Sequence, residues 1–182
     1  KELFGTVPDN LEDFSLASQI SQAEAKKFFI ELFRLGKWKK TGIIWWSLMD
    51  GWPQFSDAVV DYYFDKKLAY YYIKRAQSQF SMTFDEPYEW NINLCAVNDT
   101  KNPVAFDYEV LCLSDDNKSV AKGSATIQAD CVMKLEKIPY SQSDKKFYII
   151  KWESSLGSGI NHYLAGNPPF NLRQYIEWIT KA

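Results

Sequence analysis

The spacing of apolar positions changes near residue 79 and divides the chain into two halves. In the first half apolar residues recur at helical intervals. Ala25, Phe28, Phe29, Leu32 and Leu35 share one stripe of a 3.6-residue period. Ser21 stands at its head with Glu24 three residues on, the pattern of a capping box, and Gly36 follows as a left-handed stop. The spacing predicts a helix over 21–35 that buries its Phe residues. A second helix is predicted at about 65–78, with Leu68, Tyr72, Ile73 and Ala76 inward and Lys66, Lys67, Lys74 and Arg75 outward. Between them Gly42–Met49 reads GIIWWSLM, apolar on both alternating faces and bounded by Gly42 and Gly51. That pattern predicts a strand buried on both sides, as in a parallel sheet.

From residue 79 the period is two. Trp90, Ile92, Leu94 and Ala96 alternate with Asn91, Asn93, Cys95 and Val97; Phe106, Tyr108, Val110 and Cys112 alternate with Asp107, Glu109 and Leu111. Further strands are predicted near 80–86, 120–129, 131–137, 147–154 and 160–165. Turn signals separate them at Asn98-Asp99, Asp115-Asp116-Asn117 and Ser141–Asp144. Short strands at this spacing predict an antiparallel sandwich of immunoglobulin-like architecture. Near the end Pro168-Pro169 stiffens the chain, and Phe170, Asn171, Gln174 and Tyr175 form a cap with a hydrophobic staple. A short helix follows, whose Tyr175, Ile176, Trp178 and Ile179 would lie on the sandwich or on the seam between the halves. The expected fold class is mixed α and β: helices and one strand over residues 1–78, then the sandwich and its C-terminal helix over 79–182.

Composition narrows the functions open to such a chain. It has 182 residues, with 21 Lys and Arg against 23 Asp and Glu, for a net charge of −2. That balance argues against a nucleic-acid partner. No apolar run approaches the length of a membrane span. A complete (β/α)₈ barrel needs about 250 residues. Cys95, Cys112 and Cys131 are odd in number and far apart, and His162 is the only histidine. They read as small core residues, with neither a disulfide set nor a metal site, and no cofactor motif accompanies them. Gly157–Gly159 is no nucleotide loop, since no helix signal follows. The start, KELFGTVPDN, has neither an initiator Met nor a signal-peptide stretch and suggests a processed chain or a fragment. The unpaired thiols fit a reducing cytoplasm but also occur in secreted enzymes, so no compartment is assigned.

The densest chemistry lies in Trp45–Asp61, WWSLMDGWPQFSDAVVD, with three Trp and three Asp. Trp faces stack on the C–H faces of sugar rings, and Asp accepts hydrogen bonds from sugar hydroxyls. The same residues also suit an aromatic core with turn-forming aspartates, and composition leaves both readings open. Glycoside hydrolysis requires two carboxylates across the bond. Asp50, Asp57 and Asp61 are the local candidates, but Asp57 and Asp61 also suit capping roles, and no Glu stands beside them on a strand end.

The stretch Gly42–Pro53, with Phe55, Ser56, Asp57, Asp61-Tyr62-Tyr63 and Lys67–Arg75, resembles the last barrel strand and following helix of glycoside hydrolase family 2, in its β-mannosidase-like branch. The pattern is Gly-x-x-x-Trp-x-Leu-x-Asp-x-Trp-Pro, then an Asp-Tyr pair and a Tyr-rich helix. Asn161-His162-Tyr163 and Pro168-Pro169-Phe170 resemble the end of that branch's C-terminal sandwich. The resemblance implies that residues 1–78 are the end of a TIM barrel, with Trp46 as the floor of the −1 sugar subsite and Asp50 and Trp52 lining or supporting the same pocket. It implies a cis Trp46–Ser47 peptide bond. Met49 stands where the family commonly has asparagine. The family's general-acid and nucleophile glutamates lie on earlier strands, and no motif assigns them to Glu2, Glu12, Glu24 or Glu31. The chain is therefore expected to be the C-terminal part of a retaining exo-β-glycosidase, inactive alone. Its expected partners are a terminal β-linked sugar and the rest of the barrel, and unpaired barrel elements could self-associate. A free-standing carbohydrate-binding module and an interdomain scaffold are the alternative classes.

Overall fold

The computed structural model describes residues 1–181. In chain order its elements are α1 (Leu11–Leu35), α2 (Leu68–Ala76), β1 (Phe80–Phe84), β2 (Asn91–Asn98), β3 (Val104–Cys112), β4 (Lys118–Ile127), β5 (Cys131–Pro139), β6 (Lys146–Ser154), β7 (Gly157–Ala165) and α3 (Leu172–Ile179). They fall into two compact units, one of Lys1 with Thr6–Ser78, the other of Glu2–Gly5 with the residues from Gln79 on.

The second unit holds two antiparallel sheets, in the orders β1-β2-β5 and β4-β3-β6-β7. Alternation sends Phe80, Met82, Phe84, Ile92, Leu94, Phe106, Val110, Ile150 and Trp152 into one core that both sheets share. Each such side chain contributes about 1.5–3 kcal/mol on burial. All seven strands lie where the period of two predicts them. Trp90 does not join the alternation: it precedes β2 at φ 62 and is exposed. The predicted turn lies within the five-residue β3–β4 connection: Asp116 and Asn117 both have positive φ, which Asn and Asp tolerate, and Lys118 N donates to Asp115 O at 2.9 Å across them. Tyr108 on β3 and Trp152 on β6 are register partners, flanked by Gly123 on β4 and Gly159 on β7. A Cβ at Gly159 would lie 2.3 Å from the Trp152 ring, and one at Gly123 would lie 2.8 Å from the Tyr108 hydroxyl. The two aromatic side chains thus occupy space that only glycine leaves free. From β7, Asn161 Nδ2 donates to the Met82 carbonyl of β1 at 2.8 Å, joining the two sheets.

Helix α3 starts as predicted. Asn171 caps it by accepting from Gln174 N at 3.0 Å, and Phe170 and Tyr175 are buried. Tyr175 and Trp178 lie on Phe147 of β6, which stacks on His162 of β7. The helix therefore covers the outer face of the four-stranded sheet. Phe4 meets Tyr175 edge-on, and Phe170 N donates to Leu3 O at 2.7 Å, which brings the first residues of the chain into this unit.

The first unit departs further from expectation. Helix α1 begins ten residues before Ser21. Asn10 caps it by accepting from Asp13 N at 2.8 Å, and Glu12 and Asp13 complement the dipole in its first turn. Ser21 is interior, donating to Ala17 O at 2.8 Å. Gly36 ends the helix at φ −81, in the right-handed region, and the left-handed residue is Trp38. The stripe is also rotated. Ala25, Phe28 and Phe29 are exposed, while Ala17, Ile20, Ala23, Lys27, Ile30 and Glu31 are buried. Small residues on that face admit close packing against α2, and Lys27 and Glu31 enter it as a 2.9 Å ion pair. Either charge alone there would be strongly destabilising. Helix α2 is shorter than predicted and buries Ala69, Tyr72, Ile73 and Ala76, with Leu68 only half-buried. Side chains from α1 satisfy both its ends: Gln19 Oε1 accepts from Leu68 N at 3.1 Å, and Arg34 donates to the carbonyls of Ala76 and Ser78.

The expected buried strand over Gly42–Met49 does not form. The segment has no regular structure beyond one isolated parallel bridge from Met49 to Val60. Ile44, Trp46, Leu48 and Met49 are exposed. An apolar run becomes a central strand only where strands flank it, and among the described residues of this unit no named strand does so.

Candidate functional site

The segment carrying Trp46, Asp50 and Trp52 is held by short backbone bridges. Val60 N donates to Leu48 O at 2.9 Å, Asp50 N to Val60 O at 3.1 Å and Val59 N to Ser47 O at 3.2 Å. Lys67 N donates to Val59 O at 2.9 Å, leading the chain into α2. Two α1 side chains reach the same segment. Gln22 donates to the Asp57 carbonyl, and Lys26 Nζ donates to the Trp46 carbonyl at 2.5 Å while lying 5.1 Å from the Trp45 ring centroid. Burial pulls the Lys26 ammonium below the usual lysine range, with Asp57 opposing the shift. The Trp46–Ser47 peptide bond is cis, as the resemblance implies.

The three singled-out residues differ in environment. Trp46 is 76% exposed and Trp52 64%, whereas Asp50 is only 4% exposed. Asp50 Oδ1 accepts from the Ser56 hydroxyl and from Gln54 Nε2 at 2.9 Å; Oδ2 accepts from Lys67 Nζ at 3.3 Å. Lys67 Nζ also donates to Ser56 O at 3.3 Å, and Ser56 Oγ accepts from Ala58 N at 3.0 Å. The Ser56 hydroxyl does most to hold the Asp50 carboxyl below the usual carboxylate range. Desolvation pushes the other way, and Gln54 and Lys67 reinforce Ser56. Such a group stays ionised near neutrality and is a poor proton donor.

Asp61 organises a turn, its Oδ1 accepting from Tyr63 N at 2.8 Å and Asp65 N at 2.9 Å. Asp57 is exposed, and its carbonyl is the acceptor for Gln22. Among the described residues no group of three or more His, Cys, Asp or Glu is placed to hold a metal ion, and no helix is long and apolar enough to cross a membrane. The three cysteines are free. A separate open depression lies on the outer face of the four-stranded sheet, among Asp107, Glu109, Lys122, Lys151 and Glu153. It carries charges of both signs, and Lys122 pairs with Glu109 at 3.8 Å.

Sequence reasoning missed Gln22, Lys26, Gln54, Ser56 and Lys67 as parts of the site. They come from α1, the loop and the residue before α2; Ser56 and Lys67 stand in the family-like motif, which gives them no role at the site, and Gln22 and Lys26 lie outside it.

No protein-family model matches the chain. Among solved structures, a β-D-mannosidase from Dictyoglomus thermophilum superposes with a TM-score of 0.76 over 91% of this chain and 21% of its own, at 24% identity. The fold is shared with glycosidases. An exo-chitosanase from Amycolatopsis orientalis matches with a TM-score of 0.72 over 93% of this chain and 23% of its own, at 18% identity. In sequence, β-mannosidase B from Thermothelomyces thermophilus is 35% identical over 83 residues, which are 41% of this chain and 9% of that protein. The chain thus spans about a fifth of the length of these solved structures and less than a tenth of that relative.

Proposed function

We propose that this chain is the C-terminal part of a retaining, exo-acting β-glycosidase of β-mannosidase type, within glycoside hydrolase family 2. The observation that carries the reading is the fold likeness to the Dictyoglomus β-mannosidase over 91% of the chain, joined to the 35% identical stretch shared with a β-mannosidase. In this reading residues 1–78 close a TIM barrel and residues 79–182 form an immunoglobulin-like accessory sandwich. Trp46 is the floor of the −1 subsite, and Asp50 and Trp52 belong to the same wall. The parent enzyme works through two glutamates about 5–5.5 Å apart and a glycosyl-enzyme intermediate. This chain contributes the stacking wall and neither glutamate: Glu31 is consumed in its buried pair with Lys27. The apolar surface left exposed on the first unit supports the loss of barrel neighbours and would drive self-association of the chain alone.

The test is turnover of aryl β-glycosides. The 182 residues alone should give none. The same chain with its upstream residues restored should turn over, and Trp46→Ala there should lower kcat/KM by about 10²-fold through lost positioning. Turnover by the 182 residues, abolished by changing an acidic residue within them, would overturn the reading. A second reading, a carbohydrate-binding module, is favoured by the outward Trp46, Trp52 and Phe55. Saturable binding of an oligosaccharide by the isolated chain would select it, whereas a severed subsite should bind almost nothing.

A further inference from the structure

We propose that Asp50 is a positioning residue: it fixes the 50–56 loop that presents Trp52, and it does not itself meet the sugar. The sugar half of this statement rests on the glycosidase reading; the loop half stands on geometry alone. Gly51, Trp52, Pro53, Gln54 and Phe55 are all exposed, so burial of apolar surface does not hold the loop in place. What holds it is polar. One carboxylate gathers Gln54 and Ser56 from the far end of the loop and Lys67 from the residue that caps α2. Ser56 passes the constraint on to the Ala58 amide, and Lys67 closes the circuit through the Ser56 carbonyl.

A carboxylate offers about four lone-pair sites. Three donors from the protein already occupy this one, and Asp50 is almost wholly buried. The one site left is on Oδ2 beside Lys67, and it is buried, so a sugar hydroxyl seeking it would have to open the loop that carries Trp52. The exposed rings of Trp46 and Trp52 are free of that conflict. The low carboxyl pKa agrees with a group that works as a permanent acceptor.

Amide hydrogen exchange on the 182-residue chain tests the loop half. Asp50→Asn, Ser56→Ala and Lys67→Met should each speed exchange at Ala58, Val59, Val60 and Lys67 by about tenfold, while Leu94 and Val110 in the sheets are unchanged. Acidification through the Asp50 titration should loosen the same amides in the wild type, after correction for intrinsic exchange, and add nothing in Asp50→Asn. Unchanged exchange in Asp50→Asn, or a pH response that survives in it, overturns the proposal. Should Asp50→Asn unfold the first unit, Ser56→Ala decides in its place. With the upstream residues restored, Asp50→Asn and Ser56→Ala should lower kcat/KM to a similar extent and non-additively. A large loss for Asp50→Asn with none for Ser56→Ala would mean that Asp50 touches the sugar. Absence of turnover in every form would sink the glycosidase reading and the sugar half with it, leaving the exchange result to judge the loop.

Discussion

The two units draw on similar aromatic residues and use them in opposite ways. In the second, Phe80, Phe84, Phe106, Tyr148 and Trp152 lie in a core that seven strands enclose. In the first, Trp38, Trp46, Trp52, Phe55, Tyr63 and Phe64 face outward, and its buried face is built from alanines, Ile20, Ile30, Tyr72, Ile73 and an ion pair. Among the described residues, sixteen of the nineteen exposed large apolar side chains belong to the first unit. Apolar content therefore does not by itself report a core; what matters is whether the chain supplies a second surface to bury it against. One unit supplies its own, and the other displays a surface of the kind that marks an interaction site.

Four substitutions would break or sharpen that contrast. The largest effect is expected at Phe84, which is 1% exposed in the core that the two sheets share. Phe84→Ala should cost about 3–5 kcal/mol in denaturant unfolding of the second unit. A loss below about 1 kcal/mol would mean that this core is loosely packed. Next is Gly159→Ala, whose methyl group must displace the Trp152 ring; thermal unfolding should show a loss of about 1–3 kcal/mol. In the first unit, Asn10→Ala removes the α1 cap and should cost about 1 kcal/mol, read as helix fraying by circular dichroism. Smallest is Phe55→Ala, expected within about 0.5 kcal/mol of wild type although Phe55 is as large as Phe84. A clear destabilisation there would show that the loop is packed in solution.

Cysteine chemistry offers a further contrast within the second unit. Burial pushes the Cys95 thiol up to about 12, with Asp85 adding to the shift. Cys131 is only half-buried. Iodoacetamide at neutral pH should leave Cys95 unmodified until the unit unfolds, with Cys131 modified first; early labelling of Cys95 would reveal local opening.

Much of this was legible in the sequence, and unevenly. All seven strands and the β3–β4 turn follow from alternation and turn residues, because a sheet that buries one face writes a period of two into each strand. The cap of α3 is equally local. In the first unit, local reasoning placed the start of α1 at Ser21-x-x-Glu24 and passed over Asn10, whose Asp13 partner lacks the usual Glu or Gln. It oriented α1 by its largest side chains, whereas close approach to α2 selected the small ones. It read Gly42–Met49 as a strand because the run is apolar, although no flanking strand lies within the unit. Trp46, Asp50 and Trp52 are singled out by the family resemblance, composition alone leaving a core or a ligand site open, and the donors to Asp50 lie up to seventeen residues away and come together only in three dimensions.

The row Gly123–Tyr108–Trp152–Gly159 runs across all four strands of one sheet. Each aromatic ring has a vacancy beside it that is one residue wide. A strand that zips up one residue out of step would present an aromatic ring to a side chain, and would also turn its apolar face to water. The row therefore favours the observed register of the four strands over its one-residue neighbours.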